Sequence, residues 1–166
     1  VKSLKELKPV PGRMEEISCS CPGKVFIDYA HTPDAYEKLF SNIANIVDKK
    51  TKIISLFGCG GNRDYKNRSV IGKISESYSD YIIITTDNPR NESIDMINND
   101  ILKGFSNKNF IIIKDRKYAI ETALSKMEDN SILLILGKGR ETFQQIGGNK
   151  KYHNDVEIIK KYCYAS

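Results

Sequence analysis

Five short apolar segments, separated by stretches of helical periodicity, most strongly limit what this chain can fold into. The segments span residues 24–29, 52–58, 81–86, 109–115 and 131–137. Apolar runs of this length, rich in β-branched residues and without polar alternation, are typical of strands buried on both faces of a parallel sheet. Amphipathic helices must then cover both faces. The alternation predicts a Rossmann-like, doubly wound α/β fold.

Apolar residues at helical spacing predict helices near residues 33–48, 66–78, 93–104 and 116–128. In the tail, Gly147-Gly148 lies between two short polar segments and predicts a β-hairpin. We expect this hairpin to add an antiparallel edge strand, giving a mostly parallel sheet of about six strands, before a short last helix. Residues 1–12 fall outside the alternation and are expected to be a linker or the end of a preceding domain. One domain is predicted over 13–166, and the start at Val1 indicates a piece of a longer protein.

Charge and hydropathy argue against several classes of protein. The chain carries 26 Lys and Arg against 21 Asp and Glu, a net charge of +5. The basic residues are spread along the chain, so the excess is compatible with a phosphate-bearing ligand but gives little reason to expect nucleic acid. No apolar run approaches the roughly 20 residues of a membrane helix, and the first residues lack a signal-peptide core. We expect a cytoplasmic domain that binds neither nucleic acid nor membrane.

The four cysteines are expected to be reduced thiols. Cys19 and Cys21 form a C-x-C pair, Cys59 and Cys163 stand alone, and the two histidines are far apart. This spacing matches neither a disulfide framework nor a zinc site. No metal site is therefore predicted.

Ligands of doubly wound sheets bind beyond the carboxyl ends of the strands, so the segment after each strand is a candidate site. After the third strand come Asp87, Asn88 and Arg90, within TTDNPRNES. These side chains either bind a ligand at the carboxyl end of the sheet or belong to an ordinary turn that ends the strand. After the fifth strand, Glu141 of GKGRET either binds a ligand ammonium group or starts a helix.

Two further loops carry the same ambiguity. The segment 58–68, GCGGNRDYKNR, places glycines and basic residues before a helix, which suits an anion but also a tight turn. No Walker-type loop occurs in the chain, so it does not cradle a nucleoside triphosphate by that route. Asp28 and His31 of DYAHTPD either contact a ribose and a base or belong to a helix N-cap. Because nearly every strand ends in a polar or glycine-rich loop, a binding site is favoured over turn chemistry alone.

Six segments occur in the order found in the C-terminal domain of Mur ligases, and the chain resembles that family from about residue 10 to its end. The segments are PGRMEEI, DYAHTPDAYEKL, FGCGGNRD, TTDNPRNE, DRKYAI and LGKGRE. The resemblance is strongest to the branch that adds the third amino acid to UDP-N-acetylmuramoyl-L-alanyl-D-glutamate in peptidoglycan synthesis. It implies an ATP-dependent amide ligase, in which the glutamate γ-carboxylate is phosphorylated and then attacked by the incoming amine.

The resemblance also implies a division of labour between domains. In that family an N-terminal domain binds the uridine nucleotide, and a central domain carries the P-loop and the magnesium ligands. ATP and Mg²⁺ are therefore expected to be held mainly outside this chain. The third domain, resembled here, brings the amino acid and supplies no catalytic residue. We expect this chain to be inactive alone and to work with its own N-terminal and central domains.

For the amino acid, meso-diaminopimelate, the resemblance assigns six binding residues. They are Arg63, Asp87, Asn88, Arg90, Gly137 and Glu141. Arg90, with Arg63 as a second contact, binds the distal carboxylate, which suits the planar guanidinium. Glu141 and the carbonyl of Gly137 bind the distal ammonium group.

For the nucleotide, the resemblance assigns Arg13 to the ATP phosphates and Asp28 and His31 to the ribose and adenine. The chain departs from the family at Tyr65, at Ser69 and in the tail YHNDVE, which affects loop details. Two alternatives stay open: a stand-alone nucleotide- or anion-binding module, and a ligase domain for another amino acid such as L-lysine. Lysine has no distal carboxylate, so Arg90 favours diaminopimelate or a close diacid analogue such as lanthionine.

Overall fold

In the computed structural model, which describes residues 10–63, 65–107 and 109–164, the five predicted apolar strands and one strand that was not predicted form a six-stranded sheet. Its strands are β1 (Glu15–Ile17), β2 (Lys24–Asp28), β3 (Lys52–Phe57), β4 (Tyr81–Ile84), β5 (Phe110–Ile112) and β6 (Ser131–Leu136). Their order across the sheet is β1-β2-β6-β3-β4-β5, with β1 antiparallel to β2 and the other neighbours parallel. The predicted mostly parallel, doubly wound sheet with one antiparallel edge is confirmed.

Helices cover both faces of this sheet. They are α1 (Pro33–Ile46), α2 (Lys66–Tyr78), α3 (Ile94–Leu102), α4 (Arg116–Ser125) and α5 (Asp155–Tyr164). On one face Ile27 and Leu56 pack with Ile120 of α4 and Ile159 of α5. On the other face α1, α2 and α3 pack on the intervening strand residues, such as Leu134. Successive residues of a strand point to opposite faces, which explains why these strands are apolar throughout.

The antiparallel edge strand is not the one expected. The tail does form the predicted hairpin, β7 (Phe143–Ile146) and β8 (Asn149–Tyr152), but as a separate two-stranded sheet. The polar sequences FQQI and NKKY give it little to bury beside the main sheet. Instead it docks on the loop after β4, where the Arg90 amide donates to the Gln145 carbonyl (3.0 Å) and the Gly147 amide to the Arg90 carbonyl (2.6 Å). The antiparallel edge is β1, whose three residues are too few and too polar to be recognised as a strand.

Two helices begin where the sequence places a capping side chain. Thr32 accepts a hydrogen bond from the Ala35 amide at the start of α1, and Asp115 accepts one from the Tyr118 amide at the start of α4. The linker predicted over residues 1–12 lies outside the described residues up to residue 9. No helix in the described part of the chain is both long enough and apolar enough to cross a membrane.

The cysteine spacing predicts neither a disulfide nor a metal cluster, yet three of the four cysteines come together. Cys19 and Cys21, in the loop between β1 and β2, meet Cys163 in the last turn of α5, and Cys19 lies within bonding distance of both. Their three Sγ atoms lie within 4.8 Å of one another. The spacing could not show this, because 144 positions separate Cys19 from Cys163. Cys59 lies elsewhere, after β3, as a free thiol.

Candidate functional site

A cavity of about 290 Å³ opens at the carboxyl ends of the parallel strands, between the loops that follow β2, β3, β4 and β6. The six residues predicted to bind the amino acid all line it: Arg63, Asp87, Asn88, Arg90, Gly137 and Glu141. His31 lines it as well, whereas Arg13 and Asp28 do not. The topological rule for doubly wound sheets therefore located the cavity correctly.

Two arginines form the cationic side of this cavity. Arg90 Nη1 donates to the Gly61 carbonyl (2.6 Å), which directs the guanidinium toward the glycine-rich loop after β3. A Cβ atom on Gly60 would lie 3.0 Å from Arg90 Nη1 and 3.5 Å from Arg63 Cγ, so both arginines approach the same glycine. Among the described residues no carboxylate forms an ion pair with Arg63 or Arg90. Two such guanidinium groups at one cavity wall favour an anion between them.

Glu141 forms the anionic side. Its Oε2 accepts hydrogen bonds from Lys138 Nζ (2.8 Å) and Asn88 Nδ2 (3.0 Å), and its Oε1 accepts one from the Tyr29 hydroxyl (3.2 Å). Burial opposes ionisation, but the hydrogen bonds from Lys138 and Asn88 outweigh it and lower the pKa of Glu141. Glu141 is therefore an oriented carboxylate at neutral pH, as the binding of an ammonium group requires.

Asp87 and Gly137 complete this side of the cavity. Gly137 has φ +100°, and a Cβ atom there would lie 2.6 Å from Asp87 Oδ2, so only glycine allows this loop to approach the carboxylate. Burial raises the pKa of Asp87, against the opposing charges of Arg116 and Lys138. A ligand ammonium group beside Asp87 would favour its charged form.

The sequence analysis missed a salt bridge that joins the two arginine-bearing loops. Arg68, which is 2% exposed, donates from Nη1 to Glu92 Oε1 (2.5 Å) and from Nη2 to Glu92 Oε2 (2.7 Å) and to the Gly60 carbonyl (3.1 Å). Glu92 also accepts from the Asn62 amide (3.0 Å). Both residues lie within the segments singled out in the sequence, but a pair 24 residues apart leaves no local signal.

Asn88 and Gln144 hold the loop after β4 in place. Asn88 Oδ1 accepts from Lys138 Nζ (3.1 Å) and from the Gln145 amide (2.9 Å), while its Nδ2 bonds Glu141. Gln144 Nε2 donates to the carbonyls of residues 86 and 87, each at 3.0 Å. Asn88 therefore connects three loops. The supporting roles of Lys138 and Gln144 are also absent from the sequence prediction, because both side chains bond to residues 50 to 58 positions earlier in the chain.

The residues assigned to the nucleotide lie around Tyr29, on one rim of the cavity. The Arg13 guanidinium lies 5.7 Å from the Tyr29 ring centroid, and the His31 ring contacts the same ring edge-on at 5.1 Å. Both side chains are exposed. Asp28 is buried, and its two oxygens accept from the Met14 amide (2.7 Å) and the Ala30 amide (2.6 Å). This rim offers a cation and an imidazole to one side of a nucleotide, and the three assignments stay predictions.

The fold and the cavity together define a doubly wound α/β domain with paired arginines on one side of its cavity and a carboxylate on the other. The family model described as "Mur ligase, glutamate ligase domain" matches residues 12–139. The chain belongs to this family, as the resemblance implied.

Relatives and solved structures agree with this membership. The chain is 44% identical over 166 residues to UDP-N-acetylmuramoyl-L-alanyl-D-glutamate--2,6-diaminopimelate ligase of Rickettsia bellii, covering 100% of this chain and 34% of the relative. The enzyme of the same name from Fusobacterium nucleatum is 41% identical over 162 residues, with 97% and 33% covered. A solved structure of a ligase of that name superposes with a TM-score of 0.84 at 31% identity, covering 99% of this chain and 34% of that one.

A more distant neighbour shows the fold alone. Mycobacterium tuberculosis folylpolyglutamate synthase, solved in complex with ADP and AMPPCP, superposes with a TM-score of 0.62 at 23% identity over 77% of this chain and 29% of that one. The chain spans about a third of the length of the curated relatives it matches. The activity of those whole enzymes therefore comes to this chain only as a proposal.

Proposed function

We propose that this chain is the amino-acid-binding domain of an ATP-dependent ligase that adds meso-diaminopimelate, or a close diamino diacid, to UDP-N-acetylmuramoyl-L-alanyl-D-glutamate. The observation that carries the proposal is the opposed charge in one cavity. Arg63 and Arg90 stand on one side, without a carboxylate partner among the described residues, and the ionised Glu141 stands on the other.

The distal end of diaminopimelate matches this arrangement, since one carbon carries both a carboxylate and an ammonium group. The two guanidinium groups bind the carboxylate, and Glu141 with the Gly137 carbonyl binds the ammonium group. Bound in this way, the amino acid leaves its other amine outside the cavity, free to act as the nucleophile. L-Lysine would leave Arg63 and Arg90 without an anion, which lowers its affinity through unpaired charges.

The chemistry of amide formation lies mainly in other domains of the proposed enzyme. ATP, bound with Mg²⁺ mainly by a central domain, supplies the phosphoryl group that activates the acceptor carboxylate. This chain's part is to bind and orient the amine, and to offer Arg13 and His31 to the nucleotide from its rim. The partners are the N-terminal and central domains of the same protein, and the place of action is the cytoplasm.

The test is Arg90→Ala in the full-length ligase. Ala and Arg share the same Cβ, so the strain of the left-handed backbone at residue 90 (φ 51°) is unchanged. Losing a charge-assisted contact to a buried carboxylate costs about 2–5 kcal/mol, which corresponds to a rise of roughly thirty-fold or more in the KM for diaminopimelate. The KM for ATP should stay nearly constant.

Arg140→Ala is the matched control, because Arg140 pairs with Glu15 outside the cavity. It should leave the KM for diaminopimelate within about two-fold, since neither Arg140 nor Glu15 lines the cavity. L-Lysine is tested as a poor alternative substrate. Arg90→Ala should raise the KM for L-lysine by a far smaller factor than the KM for diaminopimelate. An equal rise in KM for both amino acids would show that Arg90 only shapes the loop and would refute the proposal.

A further inference from the structure

Outside the amino-acid cavity, the structure gathers three nucleophilic side chains for which the proposed function has no use. They are the thiols of Cys19, Cys21 and Cys163 (the thiol cluster), with all Sγ atoms within 4.8 Å of one another. Two come from the loop between β1 and β2, and the third comes from α5. None of them lines the cavity described above.

We propose that the thiol cluster is a binding site for a thiophilic d¹⁰ cation, with Zn²⁺ as the cation to test. Zn–S bonds of about 2.3 Å place two thiolates on one tetrahedral ion roughly 3.8 Å apart, and the three Sγ atoms lie within 4.8 Å of one another. The cluster contains neither imidazole nor carboxylate, and all-sulfur ligand sets select soft cations over Mg²⁺ or Ca²⁺.

The protein holds the thiol cluster together by contacts that do not involve a metal. The Ser20 hydroxyl donates to the Cys163 carbonyl and ties the loop to α5. Cys163 is 3% exposed and packs in one apolar cluster with Ile17 and Ile159. These contacts preorganise the three sulfur atoms, so that little ordering is needed when a cation binds.

Two features fit the electrostatics of a thiolate site. The Cys21 amide donates to Cys19 Sγ at 3.3 Å, a hydrogen bond that stabilises the deprotonated sulfur. Cys19 and Cys21 are half-buried, which lets a cation enter and a water molecule complete a tetrahedral shell. Each thiol that binds Zn²⁺ releases its proton to solvent, so the affinity should fall as the pH is lowered.

A disulfide would use only two of the three cysteines in the thiol cluster. The Cα atom of Cys19 lies 5.2 Å from the Cα atom of Cys21 and 5.4 Å from the Cα atom of Cys163. Both separations suit a disulfide. One sulfur can form only one such bond, so either pairing leaves a third cysteine without a role. A cation uses all three.

The experiment is a Zn²⁺ titration of the full chain, reduced with a phosphine, in competition with a chromophoric chelator. We expect one Zn²⁺ per chain, and Co²⁺ should give a sulfur-to-metal charge-transfer absorption. Each of Cys19→Ser, Cys21→Ser and Cys163→Ser should weaken binding at least about 100-fold, because each removes one thiolate ligand. Cys59→Ser is the matched control and should bind unchanged, since burial raises the pKa of the Cys59 thiol to about 12 and keeps it protonated.

A second measurement uses the unmutated protein, in case a serine variant fails to fold. Saturating Zn²⁺ should slow alkylation of Cys19, Cys21 and Cys163 together, resolved by mass spectrometry, and a chelator should reverse the protection. The proposal is overturned if the reduced protein binds no Zn²⁺, or if Cys163→Ser binds as tightly as the unmutated chain. It is equally overturned if rapid thiol trapping in cells finds a disulfide between two of the three cysteines.

Discussion

Among single residues, Lys138 is a buried cation that contacts both carboxylates of the amino-acid cavity. Its side chain is fully buried, and its ammonium group contacts Glu141 Oε2 at 2.8 Å, Asn88 Oδ1 at 3.1 Å and Asp87 Oδ1 at 3.9 Å. This cation therefore forms an ion pair with the carboxylate assigned to the ligand ammonium group and fixes the amide beside it. A ligand ammonium group would bind next to the ammonium group of Lys138, so Glu141 and Asp87 would have to balance the charge of both groups.

Lys138→Met should destabilise the domain by about 2–3 kcal/mol, since it removes charge-assisted hydrogen bonds and leaves buried acceptors unpaired. The pKa of Glu141 should rise, because the hydrogen bond from Lys138 now helps to lower it. Urea denaturation measures the first effect and NMR titration of the carboxyl carbon the second. Lys38→Met removes an exposed ion pair with Asp34 and should cost at most about 0.5 kcal/mol. Similar costs for both variants would contradict the role given to Lys138.

Glu92 should make the stability of the domain depend on pH under acidic conditions. Hydrogen bonds from Arg68 lower its pKa from the ordinary value of 4.5 to about 2 in the folded state. Stability from this group is fully present above about pH 4.5 and is lost as the pH falls toward 2, because the unfolded chain takes up the proton first. The loss is at most about 3 kcal/mol.

Glu92→Gln should flatten the fall in unfolding free energy between about pH 4.5 and 2, measured by urea denaturation at each pH. Glu128→Gln, which removes an exposed pair with Lys52, should leave the profile nearly unchanged. A profile that is as steep in Glu92→Gln as in the unmutated chain would show that other carboxylates set the acid response.

Among the elements, the loops after β3 and β4 pack so closely that glycine is required between them. A Cβ atom on Gly61 would lie 1.8 Å from the Pro89 carbonyl oxygen. The Gly61 amide donates to the Asn88 carbonyl (2.9 Å), so the two loops are hydrogen-bonded at the point of closest approach. The separation of Arg63 from Arg90 depends on this contact.

Gly61→Ala should force the loops apart and cost about 1–3 kcal/mol, the usual range for overpacking. Thermal unfolding measures this cost. The KM for diaminopimelate in the full-length enzyme should rise as well, because the two arginines move apart. Gly148→Ala is the control, since no atom lies within 4 Å of a Cβ atom there. If Gly61→Ala unfolds at the temperature of the control, the loops are less constrained than this contact requires.

The helices and strands that the sequence predicts are those that leave a local pattern of apolar residues. Strands buried on both faces and helices with one apolar stripe leave a periodicity, so the elements of the parallel sheet were predictable. Strand β1 was not, because its three residues are too few and too polar to leave a pattern. The docking of β7 was not, because it depends on backbone hydrogen bonds to the distant loop after β4. In the same way, the cavity-lining Arg90 and Glu141 follow from the loops that end the strands, whereas Arg68 and Gln144 bind partners that no spacing indicates.

For the whole molecule, the proposed division of labour predicts that this chain alone does not turn over ATP. The chain has no P-loop, its Arg13 and His31 lie exposed on one rim, and the Asp28 oxygens accept backbone hydrogen bonds. Purified chain with ATP and Mg²⁺ should release no ADP, and calorimetric titration should detect no micromolar ATP binding. The full-length ligase, assayed with its substrates, is the positive control. ADP release in proportion to the added chain would contradict the proposed split.

The place of β6 in the middle of the sheet has a consequence for biosynthesis on the ribosome. β6 pairs with β2 on one side and with β3 on the other, although it is translated after both. Strands β3, β4 and β5 can pair as soon as they emerge, while β2 has no parallel neighbour until residues 131–136 leave the exit tunnel. Contacts between segments so far apart in sequence form late, because a long loop must close first. Until β6 inserts, the edges of β2 and β3 that it pairs with therefore stay without their partner, and the loop that carries Glu141 is the last part of the cavity to be made.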